Sequence, residues 1–340
     1  MKKKQKYNLA VVGVGAVGLE MIRCLKKRNF PIETLSIFAR SSRTINIDGE
    51  SYQVNVISDD SFSNIDIALF AGTEGEKGAA VMYAKTAIKS GAVVIDNGAD
   101  FRMDPTVPLV VPEVNPKDIK KHKGIIANPN CSTIQMVVAL WPIYKKVGIK
   151  RIIVTTFQAS SGAGRSAIEQ LNGEILQIVN NGFKVIDVNI SNRTLPQQLG
   201  YNVFPHIGSF SDFDYTSEEW KLVHETHKIM HDNKIKISAT CVRVPVKTGH
   251  SEAIYIETKK PIEPDEVRNI LSKSAGLKVV DDPKNNLYPM PKDVEGRYEV
   301  FVGRIRKDPF VKNGLWLWVV SDNLLKGAAL NAVQIAEHII

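Results

Sequence analysis

Cysteine is scarce in this chain: three residues, Cys24, Cys131 and Cys241, among 340. None belongs to a CxxC pair and the number is odd, which argues against a disulfide framework or a zinc ribbon and fits a reducing compartment. Long apolar runs are also missing, so no membrane span is expected. The basic start MKKKQKYN leads into an apolar stretch that breaks at glycines, so a secretory segment is not expected either and the expected location is cytoplasmic. No run of Lys and Arg interleaves with aromatics. The formal net charge of +8 is therefore read as suiting small anionic ligands rather than nucleic acid. His224, Glu225, His227 and His231 fall close together, but not in HExxH spacing. They read as a solvated helix face, and no metal is expected.

What the chain does have is alternation. Apolar strands are read at residues 9–12, 35–38, 67–70, 93–95 and 125–126, with a helix at 19–25 and helical or mixed segments between the others. That pattern predicts right-handed crossovers and a parallel sheet. Beyond Cys131 it changes. Helices at 134–144, 167–180 and 218–231 mix with strands at 152–157, 237–244 and 253–256, as in an α+β domain. The length suits two domains. The expected division is 1–130 for a cofactor domain and 131–323 for a catalytic one, with residues 324–340, largely an amphipathic helix, set apart at the end.

Gly13, Gly15 and Gly18 form GxGxxG around Ala16 and Val17. The pattern follows the first strand and opens a helix, the context in which it binds a dinucleotide pyrophosphate. An NAD enzyme usually carries an acid at the end of the second strand, for the ribose 2′-hydroxyl. Residues 38–44 here read Phe-Ala-Arg-Ser-Ser-Arg-Thr, with no acid. Arg40 and Ser41 suit a 2′-phosphate, so NADP is the expected cofactor.

Cys131 stands in the run 128–133, Asn-Pro-Asn-Cys-Ser-Thr, after a strand and directly before an apolar helix. The positive end of a helix favours a thiolate there. Around it, in order along the chain, come further motifs: Ile95-Asp96-Asn97 with Phe101-Arg102-Met103-Asp104-Pro105; Val111-Pro112-Glu113-Val114-Asn115; Phe157-Gln158-Ala159-Ser160-Ser161-Gly162-Ala163-Gly164; Ser217-Glu218-Glu219-Trp220-Lys221; Cys241-Val242-Arg243-Val244-Pro245 leading to Gly249-His250-Ser251-Glu252; and Val319-Val320-Ser321-Asp322-Asn323. With these motifs the chain resembles the aspartate-semialdehyde dehydrogenases nearly end to end.

The resemblance implies a Rossmann-type parallel sheet joined to an α+β catalytic and dimerisation domain of the glyceraldehyde-phosphate-dehydrogenase-like type, with the last helix returning to the cofactor domain. It implies the NADP-dependent interconversion of 4-phospho-L-aspartate and L-aspartate 4-semialdehyde, a step toward lysine, threonine, methionine and diaminopimelate. Cys131 would be the nucleophile, passing through a hemithioacetal and a thioester; His250 the general acid/base; and Gln158 an orienting group. Arg243 would hold the substrate α-carboxylate and Glu218 its α-ammonium. Arg102, Asn130 and Lys221 match phosphate-binding positions. Ser161, Gly162 and Asn323 match positions near the nicotinamide half of the cofactor. Homodimers, or tetramers, are implied.

Three stretches depart from the family pattern. The first glycine loop is one residue short between its first two glycines. Glu74 and Glu76 occupy a loop that is usually serine-rich and skirts the cofactor. The Ala-Asp-Phe-Arg of residues 99–102 points to the related N-acetyl-glutamyl-phosphate reductases, an alternative against which Glu218 argues, since an acetylated amine gives it no cation. A non-catalytic NADP-binding homologue is the other alternative.

Overall fold

The computed structural model describes residues 3–72, 78–184 and 193–340. The chain divides into two compact units, Met1–Asn130 with Gly327–Ile340, and Cys131–Lys326.

The first unit is built on β1 (Tyr7–Val12), α1 (Ala16–Lys27), β2 (Ile32–Ala39), β3 (Arg43–Ile47), β4 (Glu50–Val56), β5 (Ile67–Phe70), α2 (Ala79–Lys89), β6 (Val93–Asp96) and β7 (Ile125–Ala127). They form one seven-stranded sheet in the order β3-β4-β2-β1-β5-β6-β7. Every neighbouring pair is parallel except β3 with β4. The central strands are short apolar runs because the sheet is buried on both faces: Leu9 to Val12 and Ile67 to Phe70 are inaccessible or nearly so. The strand order reverses beside β1, the switch point at which such sheets bind ligands beyond their carboxyl ends. The β3–β4 hairpin lies outside the strands read from sequence. Its turn carries Asp48 and Gly49, both at positive φ, the signature of a two-residue hairpin turn.

The C-terminal helix Leu330–Ile339 packs in this unit. Arg28 Nε and Nη2 fork onto the Glu337 carboxylate at 2.6 and 2.7 Å. Asn331 Nδ2 donates to the Val110 carbonyl and to Asn128 Oδ1. The helix is buried along most of its length rather than amphipathic, and a π-helical turn, Leu325–Ala329, precedes it.

The second unit comprises α3 (Cys131–Val147), β8 (Ile149–Gln158), α4 (Arg165–Asn180), α5 (Ser217–Met230), β9 (Lys236–Arg243), β10 (His250–Thr258), α6 (Pro264–Ser272), β11 (Leu277–Val279), α7 (Pro291–Val294), β12 (Val300–Lys307) and β13 (Gly314–Ser321). Its six strands form a mixed sheet, β11-β12-β13-β10-β8-β9. Helices α3, α5 and α6 pack on this sheet and on one another. Helix α3 buries Ile134, Val137, Val138, Leu140 and Ile143, each contributing about 1.5–3 kcal/mol by its removal from water. That burial anchors the helix whose first residue is Cys131.

Candidate active site

In the first unit the three loop glycines separate by role. Gly13 has φ +99°, which only glycine adopts without strain. A Cβ on Gly18 would stand 2.0 Å from the Gly13 carbonyl oxygen, so α1 reaches the strand only because this residue lacks one. A Cβ on Gly15 would meet nothing within 4 Å. Gly15 opens α1, with Ala16 and Val17 in its first turn, and the space over it together with the helix amides fits a pyrophosphate. At the end of β2, Arg40 and Ser41 are exposed. Arg43 Nη1 donates to the Ser41 hydroxyl at 2.9 Å, holding that side chain at the strand end where an acid would otherwise stand. Arg43 and Thr44 belong to β3, so the basic segment is a strand end and a short link rather than one long loop. Arg102 and Asn130 are both buried, and Arg102 Nη2 donates to the Asn97 carbonyl at 2.8 Å. Glu74 and Glu76 lie outside the described residues.

In the second unit strand register does the assembling. His250 pairs with Ser321 on β13, and Gln158 pairs with Arg243 on β9. The Ser251–Phe157 pairing puts Gln158 beside His250. Ser321, His250, Gln158 and Arg243 thus form one row across four adjacent strands, with side chains on the same face. One layer deeper, Val319, Glu252, Thr156 and Cys241 form a second row, all fully buried.

The upper row is closely held. Arg243 Nη1 donates to the Ala159 carbonyl at 2.6 Å, and the Ala159 amide donates to His250 Nδ1 at 3.1 Å. With Nδ1 accepting, the neutral imidazole carries its proton on Nε2. Burial lowers the His250 pKa well below the ordinary imidazole value, and the Arg243 charge lowers it further. Gln158 Nε2 donates to Glu218 Oε1 at 3.0 Å and to the Thr156 hydroxyl at 3.2 Å. Lys221 Nζ lies 3.5 Å from Glu218 Oε2, so the two do meet on the first turn of α5. That turn starts with a capping box between Thr216 and Glu219, which fixes where Glu218 points.

Cys131 is partly exposed at the N-terminus of α3. Burial lowers the Arg243 pKa, opposed first by the charge of Glu218 and then by a thiolate at Cys131. A thiolate at Cys131 and the Arg243 guanidinium therefore stabilise one another. Cys24 and Cys241 are buried, and burial pushes the Cys241 thiol pKa up. Neither has the setting of a nucleophile.

Gly162 lies against His250 and Arg243. A Cβ there would stand 3.0 Å from His250 Cε1 and Nε2 and 3.1 Å from Arg243 Nη1. His250 Nε2 and Arg243 Nε, both buried, have no hydrogen-bond partner among the described residues. Gly162 therefore packs against both side chains as closely as only a residue without a Cβ can, and each of the two carries a buried nitrogen that no acceptor among the described residues meets. Ser161 and Asn323 are engaged with each other: Asn323 Nδ2 donates to the Ser161 hydroxyl at 2.9 Å, and Asn323 Oδ1 accepts the Gly249 amide at 2.9 Å. This bond ties the loop before His250 to the turn before α4. A cavity of about 360 Å³ opens beside Arg243, lined among others by Arg193, Leu195, Phe204 and His206. These four escaped the sequence reading, which had no signal for the segment between α4 and α5.

The α5 histidines separate. His224 stacks on Trp220, His227 Nε2 sits 2.8 Å from the Ile235 carbonyl, and His231 caps the helix in the left-handed region. No helix among the described residues is long and apolar enough to cross a membrane.

Residues 8–122 match the family model described as semialdehyde dehydrogenase, NAD binding domain, and residues 140–326 match semialdehyde dehydrogenase, dimerisation domain. The chain is similar to the aspartate-semialdehyde dehydrogenase of Aquifex aeolicus, 52% identical with 98% of each chain covered. It is 47% identical to that of Bacillus subtilis, over 98% of this chain and 97% of the relative. Among solved structures it is similar to aspartate semialdehyde dehydrogenase II of Vibrio cholerae complexed with ASA, with TM-score 0.92, 43% identity, and 99% and 98% of the two chains covered. On these matches, the chain belongs to the aspartate-semialdehyde dehydrogenase family.

Proposed function

We propose that this protein reduces 4-phospho-L-aspartate to L-aspartate 4-semialdehyde and phosphate at the expense of NADPH, with Cys131 carrying the acyl group. The carrying observation is the pair of buried donors, His250 Nε2 and Arg243 Nε, that no acceptor among the described residues meets, on two side chains that both pack against Gly162. Buried donors without partners are costly unless a ligand supplies acceptors.

The Cys131 thiolate attacks the acyl carbon, the carbon–sulfur bond forms, and the bond to phosphate oxygen breaks. NADPH, when bound, supplies the hydride. Reduction of the thioester carbon leaves an alkoxide, which collapses to the aldehyde and returns the thiolate. One proton is consumed in this direction, taken up by the departing phosphate oxygen from solvent or from His250 Nε2–H as general acid. His250 has a second part beside that of general acid/base. Because Ala159 occupies Nδ1, the neutral ring is a hydrogen-bond donor through Nε2, suited to stabilise the oxyanion of each tetrahedral species. Arg243 offers a charged donor to the α-carboxylate, and Glu218, oriented by Gln158, an anion to the α-ammonium. Arg102, Asn130 and Lys221 are the proposed phosphate ligands. Arg40 and Ser41 are proposed for the 2′-phosphate, and Ser161, Gly162 and Asn323 for the neighbourhood of the nicotinamide.

The same proposal includes a cytoplasmic homodimer, or a dimer of dimers, formed through the second unit. There Ile153 and Phe157 leave the face of β8 opposite Gln158, and Ile153 is exposed. Light scattering on the purified protein reads the assembly. The test of function is NADPH absorbance with NADP, phosphate and either L-aspartate semialdehyde or N-acetyl-glutamate semialdehyde. Phosphate-dependent signal with the first aldehyde alone supports the proposal. Signal with only the second overturns the substrate assignment.

A further inference from the structure

Glu252 is the one member of the two rows that the proposed chemistry leaves unused and that carries an ionisable carboxyl. It lies two residues beyond His250 on β10, so both side chains leave the same face of the sheet. It is fully buried, and neither carboxyl oxygen has a hydrogen-bond partner among the described residues. Its strand neighbours are Thr156 on β8 and Val319 on β13. From α3 above, the Gln135 amide lies beside it. The titratable groups facing it are His250, which burial keeps neutral, and Cys241, whose thiol burial keeps protonated. None of these is a cation. A bare carboxylate in this place would bear an uncompensated desolvation cost. A protonated carboxyl would offer the same surroundings one donor and one acceptor. Burial accordingly raises the Glu252 pKa well above the usual value, against the weaker pull of the Gln135 amide.

Gln135 connects this carboxyl to the reacting residues. It stands one helical turn after Cys131, on the same side of α3. Its Oε1 accepts the Ser321 hydroxyl at 2.7 Å, while its buried Nε2, like the two carboxyl oxygens of Glu252 beside it, has no close hydrogen-bond partner among the described residues. Ser321 in turn is the strand partner of His250. A short chain of contacts thus runs from the nucleophile's helix to the strand of the proposed oxyanion donor, with Glu252 beneath both.

We propose that Glu252 is a positioning residue that works as a neutral carboxylic acid, gripping Gln135 and thereby fixing the first turn of α3 and Cys131 relative to His250. The proposal rests on the reading of Cys131 and His250 given above. It is tested with Glu252→Gln, which keeps a neutral hydrogen-bonding group of the same shape, and Glu252→Leu, which keeps the volume alone. Three quantities are measured: kcat and KM against pH, the rate of Cys131 alkylation by iodoacetamide read by mass spectrometry, and the melting temperature from pH 5 to 9.

Glu252→Gln is expected to stay within about three-fold of wild type in kcat and alkylation rate. Glu252→Leu is expected to lose about 10- to 100-fold in kcat with KM nearly unchanged, because a nucleophile displaced by a fraction of an ångström to an ångström loses rate rather than affinity. The wild-type carboxyl must take up a proton to fold at neutral pH. Its stability relative to Glu252→Gln is therefore expected to fall as pH rises, while Glu252→Gln lacks that slope. Glu252→Leu equal to wild type in both kcat and alkylation overturns the proposal. So does a melting difference between Glu252→Gln and wild type that stays flat with pH, and this reading survives if Glu252→Leu does not fold. Should neither aldehyde turn over in any form, the proposed function fails, while alkylation and melting still decide the part played by Glu252.

Discussion

Replacing Gly162 by alanine would press one methyl group against His250 and Arg243. The added Cβ would lie 3.0 Å from His250 Cε1 and Nε2 and 3.1 Å from Arg243 Nη1. Non-bonded carbon contacts are comfortable at about 3.5–4.0 Å, so the groups must part by roughly half an ångström or more. His250 cannot retreat easily, since its Nδ1 holds the Ala159 amide and it is fully enclosed. Arg243 is likewise tied to the Ala159 carbonyl. The displacement therefore falls on the turn that carries Gly162 and on the aim of the His250 and Arg243 donors that the substrate would meet. Misplacement on the scale of 1 Å costs up to about 10²-fold in rate, so kcat for Gly162→Ala should fall about 10- to 100-fold, or about 1.4–2.7 kcal/mol in the barrier. The cost to the fold is partly offset. The φ of Gly162 is not in the left-handed region, and removing a glycine stabilises by about 0.4–1 kcal/mol through the unfolded chain, against an overpacking cost of about 1–3 kcal/mol. Gly173→Ala is the control, because a Cβ there meets nothing within 4 Å inside α4; it should raise stability slightly and leave kcat alone. The assay is NADPH absorbance at saturating substrate beside thermal melting. Gly162→Ala within three-fold of wild type in kcat would refute the reasoning.

Three further outcomes follow from the geometry. Glu218→Gln removes the anion that Gln158 and Lys221 contact; it should raise KM for the amino-acid aldehyde about ten-fold or more, as expected for loss of about 1.5–3 kcal/mol of charged hydrogen bonding, and leave KM for NADP unchanged in initial-rate assays. Arg40→Ala should weaken NADP binding by calorimetry about ten-fold while leaving NAD binding nearly unaltered, since only the 2′-phosphate would lose a charge-assisted contact. The depressed His250 pKa makes the native state bind its proton later than the unfolded chain. Stability should therefore fall as pH drops below about 6.5 and go on falling until the folded-state pKa is passed, by at most about 1.4 kcal/mol per pH unit. The melting difference between His250→Asn and wild type should grow in favour of the variant over that acid window, and a constant difference would remove the argument.

Much of the first unit was legible because its strands are buried on both faces and read as bare apolar runs between glycines. The β3–β4 hairpin was not, although Asp48 and Gly49 announce its turn; its strands expose one face, and their polar residues break the apolar run. In the second unit β12 and β13 were left unassigned despite the β-branched and aromatic run around Leu315 and Val320. Cys131 could be singled out from its place before an apolar helix, whereas Glu218 and Lys221 were marked only by the resemblance to the family. What no spacing conveys is register. That Ser321, His250, Gln158 and Arg243 form one row depends on how four distant segments align. Nor did composition hint at Glu252. A glutamate on a strand is expected at the surface, and only three-dimensional packing encloses this one completely. The Ala159 amide on His250 Nδ1 is equally invisible in sequence, and it places the neutral ring's proton on Nε2.

The central claim is that Cys131 carries the acyl group between phosphate and hydride chemistry. It is tested most directly by mixing the enzyme with L-aspartate semialdehyde and NADP while withholding phosphate, then quenching in acid and mapping peptides by mass spectrometry. The account predicts a burst of one NADPH per subunit, an acyl adduct on the Cys131 peptide, and release of that adduct when phosphate is added. An equal burst without an adduct, or an adduct that persists unchanged in Cys131→Ala, would contradict it.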